Sequence, residues 1–278
     1  MKKSLFVLLF ALIAVQPAIA SAPSETAYAR VLRTGVLRCG YSHWPPFFSI
    51  DPNTKAVSGV SKDFSDAAAK ILGIRIEYIE ITVGQQVQDL NNGKIDAVCG
   101  DGPWVLSTLR YIDYTKPYYY VPEYLYARAD EKRFAAPEDL NRPDVTFTAI
   151  DGDVSTDIAQ DRFPKAKLNS MGNLADPSQL LLNVVTKKAD VVITDPAAFT
   201  SFAKSNPNKI KVLFPRPVAV YGGGFSVKKG EIDLLNMLNG TIDVMVNTGQ
   251  AETLAKKHDP EGKIFLQVAP PYAHPLAN

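Results

Sequence analysis

Two aspartates in this chain follow predicted strands, at positions where a carboxylate can meet a ligand. Asp101 comes after an apolar run that ends at residue 100, and Asp195 comes directly after the run DVVIT at residues 190–194. In open α/β sheets, ligands lie beyond the carboxyl ends of the strands, and a carboxylate there can pair with an ammonium group. The pattern predicts a site for an amine-bearing molecule. It leaves two ordinary roles open, a plain turn for Asp101 and a helix cap for Asp195.

Aromatic side chains lie close to two of the predicted strand ends. The segment YSHWPPF, at residues 41–47, follows the first predicted strand and places Trp44 before two prolines. A tryptophan held in this way suits stacking on a ligand, although the ring can equally pack the loop onto its own lobe. Tyr41, Ser42 and, in the segment GDGPW, Trp104 are further candidates for ligand contact.

A third candidate segment is GDVST, at residues 152–156. It precedes a predicted helix, and the free N–H groups at the start of a helix attract carboxylates. Ser155 and Thr156 are the predicted ligand contacts in this segment. Ser155 can also cap the helix, and the two roles are compatible.

Arg110 is the only arginine in the stretch STLRYIDYTKPYYY, at residues 107–120. At a suitable position a guanidinium binds a carboxylate through two parallel hydrogen bonds. The alternative is an ordinary surface charge beside a hydrophobic strand. The sequence leaves both interpretations open, and Arg110 is kept among the candidate ligand contacts.

Signatures of enzymes and of metal sites are weak. The sequence contains no G-x-S-x-G elbow, phosphate loop or H-E-x-x-H motif. His43, His258 and His274 are far apart, and no cysteine or histidine pair has the spacing of metal ligands. We therefore expect no catalytic residues, no metal and no cofactor.

Strand and helix patterns alternate along the chain, and these elements must position the candidate residues. Strands are predicted at residues 36–42, 75–81, 96–100, 144–150 and 190–194, with helices between them. Ser61 is the expected cap of the first of these helices, and Gly73 is its expected end. The alternation argues for an α/β protein with mostly parallel sheets and crossover helices.

Two extended segments are the predicted joins between two α/β lobes. One covers residues 118–127, and the other is YGGGFSVK at residues 221–228. The three glycines of the second segment fit a flexible loop, or a hinge that absorbs backbone rotation. The predicted division is a first part of lobe 1 at residues 21–120, lobe 2 at residues 121–220, and a return to lobe 1 at residues 221–278.

Residues 1–20 have the pattern of a signal peptide. Lys2 and Lys3 form a basic start, an apolar stretch follows, and Ala-Ile-Ala at residues 18–20 is a cleavage site. No cysteine follows this site, so we expect no lipid anchor and a mature chain in the periplasm. The formal net charge of +1 and the lack of a basic stripe argue against a nucleic-acid partner.

Cys39 and Cys99 are the only cysteines of the chain. Two cysteines in an exported protein can form a disulfide. These two fall on neighbouring predicted strands of one sheet, where the geometry for a bridge is often poor. Two buried thiols are therefore the favoured interpretation, and the disulfide is left open.

Six segments resemble a known family in their order and spacing. They are LRCGYSHWPPF, GVSKDFSDAAAKILG, LNNGKIDAVCGDG, IDYTKPYYY, KKADVVITD and YGGGFSVKKGEIDLLNMLN. Together, within residues 34–262, they resemble the periplasmic solute-binding proteins of polar amino-acid ABC transporters, family 3. The resemblance implies a two-lobed fold of type II, in which each lobe is a mostly parallel sheet flanked by helices. It also implies that two hinge strands join the lobes and that residues 221–228 belong to this hinge.

The resemblance also implies roles for the candidate residues. Trp44 matches the aromatic residue that stacks on the ligand, and Asp195 matches the acid that binds the ligand's amine. Tyr41 or Ser42 stands where family members often have another acid. Ser155, with Thr156 after it, resembles the family's short turn that binds the ligand carboxylate at a helix start.

Arg110 departs from the family's pattern. The family's arginine clamp stands five positions before the aspartate of the IDYTKPY block, and Thr108 occupies that position here. Arg110 lies two residues later, and two residues on a helix turn a side chain by about 200°. The departure weakens the case for a free α-amino acid as the ligand.

The prediction is a monomeric periplasmic protein that captures a small polar solute by closure of two lobes. The solute is an amino acid or a related amine, and the partner is an inner-membrane ABC permease. One alternative is a periplasmic enzyme of the prephenate or arogenate dehydratase type, which resembles this family in fold. The other is a sensor or accessory module that presents a ligand to a membrane partner.

Overall fold

The computed structural model describes residues 25–101 and 105–268, in thirteen strands and eight α-helices. The strands are β1 Val36–Tyr41, β2 Ser49–Ile50, β3 Val57–Ser58, β4 Arg75–Glu80, β5 Ala97–Asp101, β6 Ile112–Tyr114, β7 Tyr119–Arg128, β8 Thr146–Ile150, β9 Lys167–Met171, β10 Val191–Thr194, β11 Ile210–Val212, β12 Ala219–Lys228 and β13 Leu266–Gln267. The helices are α1 Ala27–Thr34, α2 Val60–Leu72, α3 Gln86–Asn91, α4 Val154–Arg162, α5 Ser178–Val185, α6 Pro196–Ser205, α7 Ile232–Asn247 and α8 Gln250–His258. Residues 1–20, with the predicted signal peptide, and Trp104 lie outside the described residues.

Lobe 1 is built on β1, which pairs in parallel with β4 and with β5. Helices α2, α7 and α8 pack against one another beside this sheet. Phe64, Tyr118 and Phe225 are fully buried between these layers, and the rings of Phe64 and Tyr118 stack with centroids 4.4 Å apart. The predicted alternation of strands and helices therefore produces a large hydrophobic core beside these helices, and a second, smaller cluster around Leu90, Ile95 and Val98 is buried separately.

Lobe 2 repeats the arrangement with β8, β9 and β10. Strand β8 pairs in parallel with β9 and with β10, and β10 pairs antiparallel with β7. The two faces of this sheet bury separate clusters, one around Phe147 and Phe163 beside α4 and one around Leu180 and Val192 beside α5. Each sheet face is thus covered by a helix, as expected for parallel strands.

Strands β7 and β12 connect the two lobes. They pair antiparallel from Ala219 opposite Glu123 to Gly223 opposite Tyr119, and β12 then continues into lobe 1 beside β5. The result is a continuous sheet in the order β4-β1-β5-β12-β7-β10-β8-β9. The lobe boundaries at residues 120 and 220 stay predictions.

The glycines of the YGGG segment lie in β12 and not in a loop. A Cβ on Gly223 would clash with the ring of Tyr119, and a Cβ on Gly224 would lie 2.6 Å from Thr115 Oγ1. Glycine therefore allows close approach of neighbouring side chains to this strand, and the flexible-loop interpretation of residues 221–228 is wrong.

Cys39 and Cys99 form a disulfide, with their Cα atoms 5.5 Å apart. Both residues are buried, on the neighbouring strands β1 and β5. Cys39 pairs with Ala97, so the two cysteines are diagonal neighbours, and their Cα separation lies in the ordinary range for a bridge. The preference for two free thiols is wrong because it ignored this diagonal register.

Helix α2 begins differently from the prediction and ends as predicted. Its cap is Gly59, and the hydroxyl of Ser61 is instead buried and hydrogen-bonded to the hydroxyl of Tyr119 at 2.9 Å. Gly73 ends the helix in the left-handed conformation, with φ of 68°. Across the residues that the structure describes, the helices are all too short or too polar to cross a membrane.

Candidate functional site

A cavity of about 90 Å³ lies between the two lobes. Lobe 1 contributes Ser42, Trp44 and Gln86 to its lining, and lobe 2 contributes Gly152 and Asp153. A volume of this size accepts several water molecules. The cavity therefore has room for polar groups of a small solute, with walls from both lobes.

The lobes touch at two glycines beside this cavity. A Cβ on Gly152 would lie 2.5 Å from the Cα of Gly84, so the two backbones are in direct contact. Both residues have φ of 82°, a backbone conformation that residues other than glycine rarely adopt. The structure therefore shows the two lobes closed on each other at this point.

Asp195 lies at the start of α6 and is 3% exposed. Its Oδ1 accepts hydrogen bonds from the backbone N–H groups of Ala197 at 2.8 Å and Ala198 at 2.9 Å. Its Oδ2 accepts a hydrogen bond from Nε1 of Trp44 at 3.1 Å. Asp195 is thus a helix cap of lobe 2 and, through Trp44, also a contact between the lobes.

Asp153 is the cap of α4, and its side chain accepts hydrogen bonds from the backbone N–H of Ser155 at 2.9 Å and from the hydroxyl of Ser155. The prediction that Ser155 caps this helix is wrong, because the carboxylate of Asp153 accepts the hydrogen bond from the free backbone N–H of Ser155. Ser155 is buried, and Thr156 donates its hydroxyl to the carbonyl of Ile150 at 3.0 Å. Asp153, and not either hydroxyl residue, lines the cavity.

Glu123 is a buried acid on β7 that the sequence analysis did not select. It is 3% exposed, and its carboxyl makes no hydrogen bond or ion pair with a residue that the structure describes. Thr194 at the end of β10 pairs with Tyr124, so Asp195, the next residue, comes beside Glu123 in the interior of β7. A single glutamate in the apolar run VPEYLYA was the available signal.

Glu123, Asp153 and Asp195 form what we call the Glu123 cluster. Burial raises the pKa of Glu123 well above its ordinary value, and the negative charges of Asp195 and Asp153 raise it further. Burial also raises the pKa of Asp153 and that of Asp195. The hydrogen bonds that each carboxylate accepts lower its pKa, but burial has the larger effect. The interior of lobe 2 beside the cavity is therefore strongly unfavourable to further negative charge.

Tyr41 and Ser42 have different places in the structure. Tyr41 is 5% exposed, and its ring packs against Phe48 and Tyr78 in lobe 1, with centroids 5.1 and 6.1 Å away. Ser42 lines the cavity and donates its hydroxyl to the carbonyl of Ile81 at 3.1 Å. Of the two, only Ser42 is placed for contact with a solute.

Arg110 is exposed, and it makes no ion pair with any residue of the described part of the chain. Thr108, two residues earlier, bonds through its hydroxyl to the carbonyl of Val105 and to the hydroxyl of Tyr114 at 2.7 and 2.8 Å. Asp101 ends β5, and its side chain, like Trp104, lies outside what the structure describes. The structure therefore brings together Ser42, Trp44, Asp153 and Asp195, and does not bring Arg110 to them.

The acids that the structure describes near the cavity are not arranged around a metal position. Within residues 25–101 and 105–268, no three histidine, cysteine or carboxylate side chains are grouped so that they could hold a metal ion. The Glu123 cluster can instead act through charge, since its carboxyls attract cations and its buried members gain from hydrogen-bond donors.

Comparison with known proteins identifies relatives along most of the chain. The family model of the bacterial extracellular solute-binding proteins, family 3, matches residues 37–260. The chain is 24% identical over 210 residues to the ABC transporter glutamine-binding protein GlnH of Bacillus subtilis, which covers 74% of each chain. It is 24% identical over 226 residues to the L-arginine-binding protein of Pseudomonas aeruginosa, which covers 77% of this chain and 84% of that one.

A solved structure shares the fold. The ancestral amino acid-binding protein AncCDT-1, a precursor of cyclohexadienyl dehydratase, superposes with a TM-score of 0.72 at 26% identity. The superposition covers 84% of this chain and 99% of that chain. The predicted resemblance and the predicted two-lobed α/β fold of type II are both confirmed.

Proposed function

Because the chain belongs to the bacterial extracellular solute-binding proteins of family 3, we propose that it captures a small polar solute in the periplasm for an inner-membrane ABC permease. The solute is an amino acid or a related amine, and the protein acts as a monomer. The observation that carries the proposal is the cavity between two closed lobes, crossed by the Trp44–Asp195 hydrogen bond.

Closure about β7 and β12 is the proposed working motion. These two strands are the paired connection between the lobes, and rotation about such a connection opens or shuts the cleft. A solute that contacts both lobes binds the closed form better than the open form, and so shifts the equilibrium toward closure.

The residues in and beside the cavity support a polar solute with an amine. Asp153 lines the cavity on the lobe 2 side, and Trp44 lines it on the lobe 1 side with its indole ring. Asp195 adds a second lobe 2 carboxyl beside the cavity, where it accepts the hydrogen bond from Trp44. Two of the relatives are a glutamine-binding and an arginine-binding protein, and both solutes carry an amine. An ammonium group close to these carboxyls would donate charge-assisted hydrogen bonds to them, in place of the water molecules that otherwise solvate a charged carboxylate.

Calorimetry with a panel of amino acids, amines and small peptides tests the proposal. We expect at least one solute to bind with a Kd well below about 1 mM, the level of about −4 kcal/mol. If no solute of the panel binds more tightly than that, the proposed function is wrong.

Two glycine variants test closure. Gly152→Ala places a methyl group against Gly84 at 2.5 Å, so closure is hindered and affinity for the solute should fall at least about tenfold. Gly230→Ala is the matched control, because its φ of 88° disfavours alanine in the same way and a Cβ there meets nothing within 4 Å. Equal affinities of the two variants would contradict closure at this contact.

A dehydratase on the same fold is the second candidate. It is kept because of the likeness to AncCDT-1, the precursor of cyclohexadienyl dehydratase. Incubation of the purified protein with prephenate, followed for phenylpyruvate, tests it. Turnover in this assay would favour the enzyme, and binding of amines without turnover would favour the solute-binding function.

A further inference from the structure

The charges around the cavity are unbalanced. Asp153 lines the cavity, Asp195 accepts the Trp44 N–H beside it, and Glu123 is close to both. No lysine or arginine lines the cavity among the residues that the structure describes. Asp153 is the one member of the Glu123 cluster that lines the cavity, and no lysine or arginine of the described residues is among the groups that shift the pKa of any of its three carboxyls.

Glu123 is the member that most needs a partner. Asp195 accepts three N–H donors and Asp153 accepts two donors from Ser155. Glu123, only 3% exposed, makes no hydrogen bond with the described residues. Burial of an ionised carboxyl without a partner is costly, so such a group takes up a proton or binds a cation.

Within the described residues, neither a lysine or arginine of the cavity lining nor a group suited to a metal ion supplies this cation. Arg110, a candidate clamp in the sequence, is exposed and does not line the cavity. The described residues also hold no group suited to a metal ion. The remaining source of positive charge is the solute.

The start of α4 is also unsuited to a carboxylate on the solute. The free N–H of Ser155 is already accepted by the carboxylate of Asp153 at 2.9 Å, and the hydroxyls of Ser155 and Thr156 are bonded within the protein. A solute carboxylate placed there would meet the charge of Asp153 at close range and in a partly buried site. Like charges in such a site repel strongly.

We propose that the cleft selects a solute with a net positive charge, whose cationic nitrogen lies against the Glu123 cluster, and that it needs no carboxylate on the solute. The inference rests on the solute-binding function proposed above and names its solute class, amines and guanidines. A cation near Asp153 would neutralise the cluster and let Glu123 ionise without leaving a buried charge uncompensated.

Two solute series of different length test this inference by calorimetry. The guanidine series is agmatine, L-arginine and L-citrulline, and the diamine series is putrescine, L-ornithine and L-norvaline. In at least one series we expect the decarboxylated cation to bind no more weakly than its amino acid. The neutral side-chain analogue should bind at least about tenfold more weakly than the amino acid.

The outcomes separate the inference from the proposed function. If a neutral amino acid such as L-citrulline, L-norvaline or L-glutamine binds as tightly as the cations, the inference is wrong and the solute-binding function stands. If the decarboxylated cations bind much more weakly than both amino acids, the solute carboxylate is needed and the inference is again wrong. If nothing in either series or the wider panel binds, the proposed function itself is wrong.

Two glutamate variants locate the effect. Glu123→Gln should weaken the best cation at least about tenfold and leave the affinity for neutral solutes unchanged. Glu138→Gln is the matched control, since Glu138 is exposed in the same lobe, and it should bind the cation like the wild type. If Glu123 had only a structural role, Glu123→Gln would lower the affinity for all solutes alike. That result, or an unchanged affinity for the cation, would overturn the assignment.

Discussion

Glu123 and Glu131 are two buried glutamates of lobe 2, one within β7 and one just after its end. They are 3% and 7% exposed. Glu131 accepts hydrogen bonds from the backbone N–H groups of Lys132 and Arg133, at 2.9 and 2.8 Å, and from the guanidinium of Arg133 at 2.6 Å. Arg128 adds a second guanidinium at 3.2 Å. Glu123 has none of these partners.

The pKa values of the two carboxyls are therefore shifted in opposite directions. The guanidinium of Arg133 is the main cause that lowers the pKa of Glu131 to about 2. Burial raises the pKa of Glu123, and the neighbouring Asp195 and Asp153 raise it further. The contrast teaches that burial alone does not decide the charge of an acid. Glu131 is held by the protein's own cations and has a structural role, whereas Glu123 lacks a cation and points to a binding role.

The largest expected effect comes from Glu131→Gln. The amide keeps one acceptor oxygen, but its NH₂ group opposes the N–H donors of Arg128 and Arg133. We expect a loss of about 1.5 to 3 kcal/mol in the free energy of unfolding, the range of hydrogen bonds to charged groups. Urea unfolding at pH 7 measures it, with Glu138→Gln as the exposed control. A loss no larger than that of the control would show that Glu131 is not the anchor of its network.

The effect of Glu131→Gln should disappear in acid. The pKa of Glu131 is about 2 in the folded protein and 4.5 in its ordinary state. Between these values the unfolded chain binds more protons, so the stability from Glu131 is present above about pH 4.5 and falls as the pH falls. Urea unfolding of wild type and variant from pH 7 to pH 3 should show the difference constant at first and then declining below pH 4.5. If the difference in free energy of unfolding between wild type and variant grew in acid, the pKa of Glu131 would be raised in the folded protein and not lowered.

A smaller effect of the opposite sign is expected for Glu123→Gln. The pKa of Glu123 is raised above 4.5 in the folded protein, so the folded state binds the extra proton and wild-type stability falls as the pH rises through that range. The uncharged amide avoids this cost, and the variant should be more stable than wild type at pH 8. The gain should vanish near pH 4.5, and urea unfolding without solute at both pH values measures it. A variant that is less stable at pH 8 would mean that Glu123 has a protein partner.

Strand ends and lobes could be predicted from the sequence because they depend on local patterns. The apolar run before Asp195 placed it at the end of β10 and the start of α6, where it lies in the structure. Gly73 ended α2 for the same reason, since a left-handed residue is needed there. Trp44 was placed at the cleft by its position after the first strand, and it lines the cavity.

Features that depend on three-dimensional register could not be predicted. The Cys39–Cys99 bridge requires a diagonal neighbour across two strands, which spacing does not reveal. In the segment GDVST both Asp153 and Ser155 are residue types that cap helices, and in the structure the cap of α4 is Asp153. Glu123 looked like one polar residue of a hinge strand, and its importance appears only when Asp195 comes beside it from another strand.

The smallest expected effect concerns Asp195, which is intermediate between the two glutamates because its three partners are N–H groups and not cations. Trp44→Phe removes the indole donor and keeps an aromatic ring at the lobe contact. One lost hydrogen bond is worth about 1 kcal/mol. Since Trp44 and Asp195 lie on different lobes, this cost should be borne by the closed form and appear as a roughly fivefold weaker solute affinity.

Calorimetry of Trp44→Phe, beside urea unfolding, separates closure from general stability. Tyr28→Phe is the matched control, because it also removes a polar group from a half-buried ring, one without a hydrogen bond among the described residues. If Trp44→Phe lowers the free energy of unfolding and leaves solute affinity unchanged, the Trp44–Asp195 contact belongs to the fold, like the network of Glu131. If affinity falls while the free energy of unfolding matches that of the control, Asp195 belongs with Glu123, as a carboxyl whose full stabilisation requires the closed cleft.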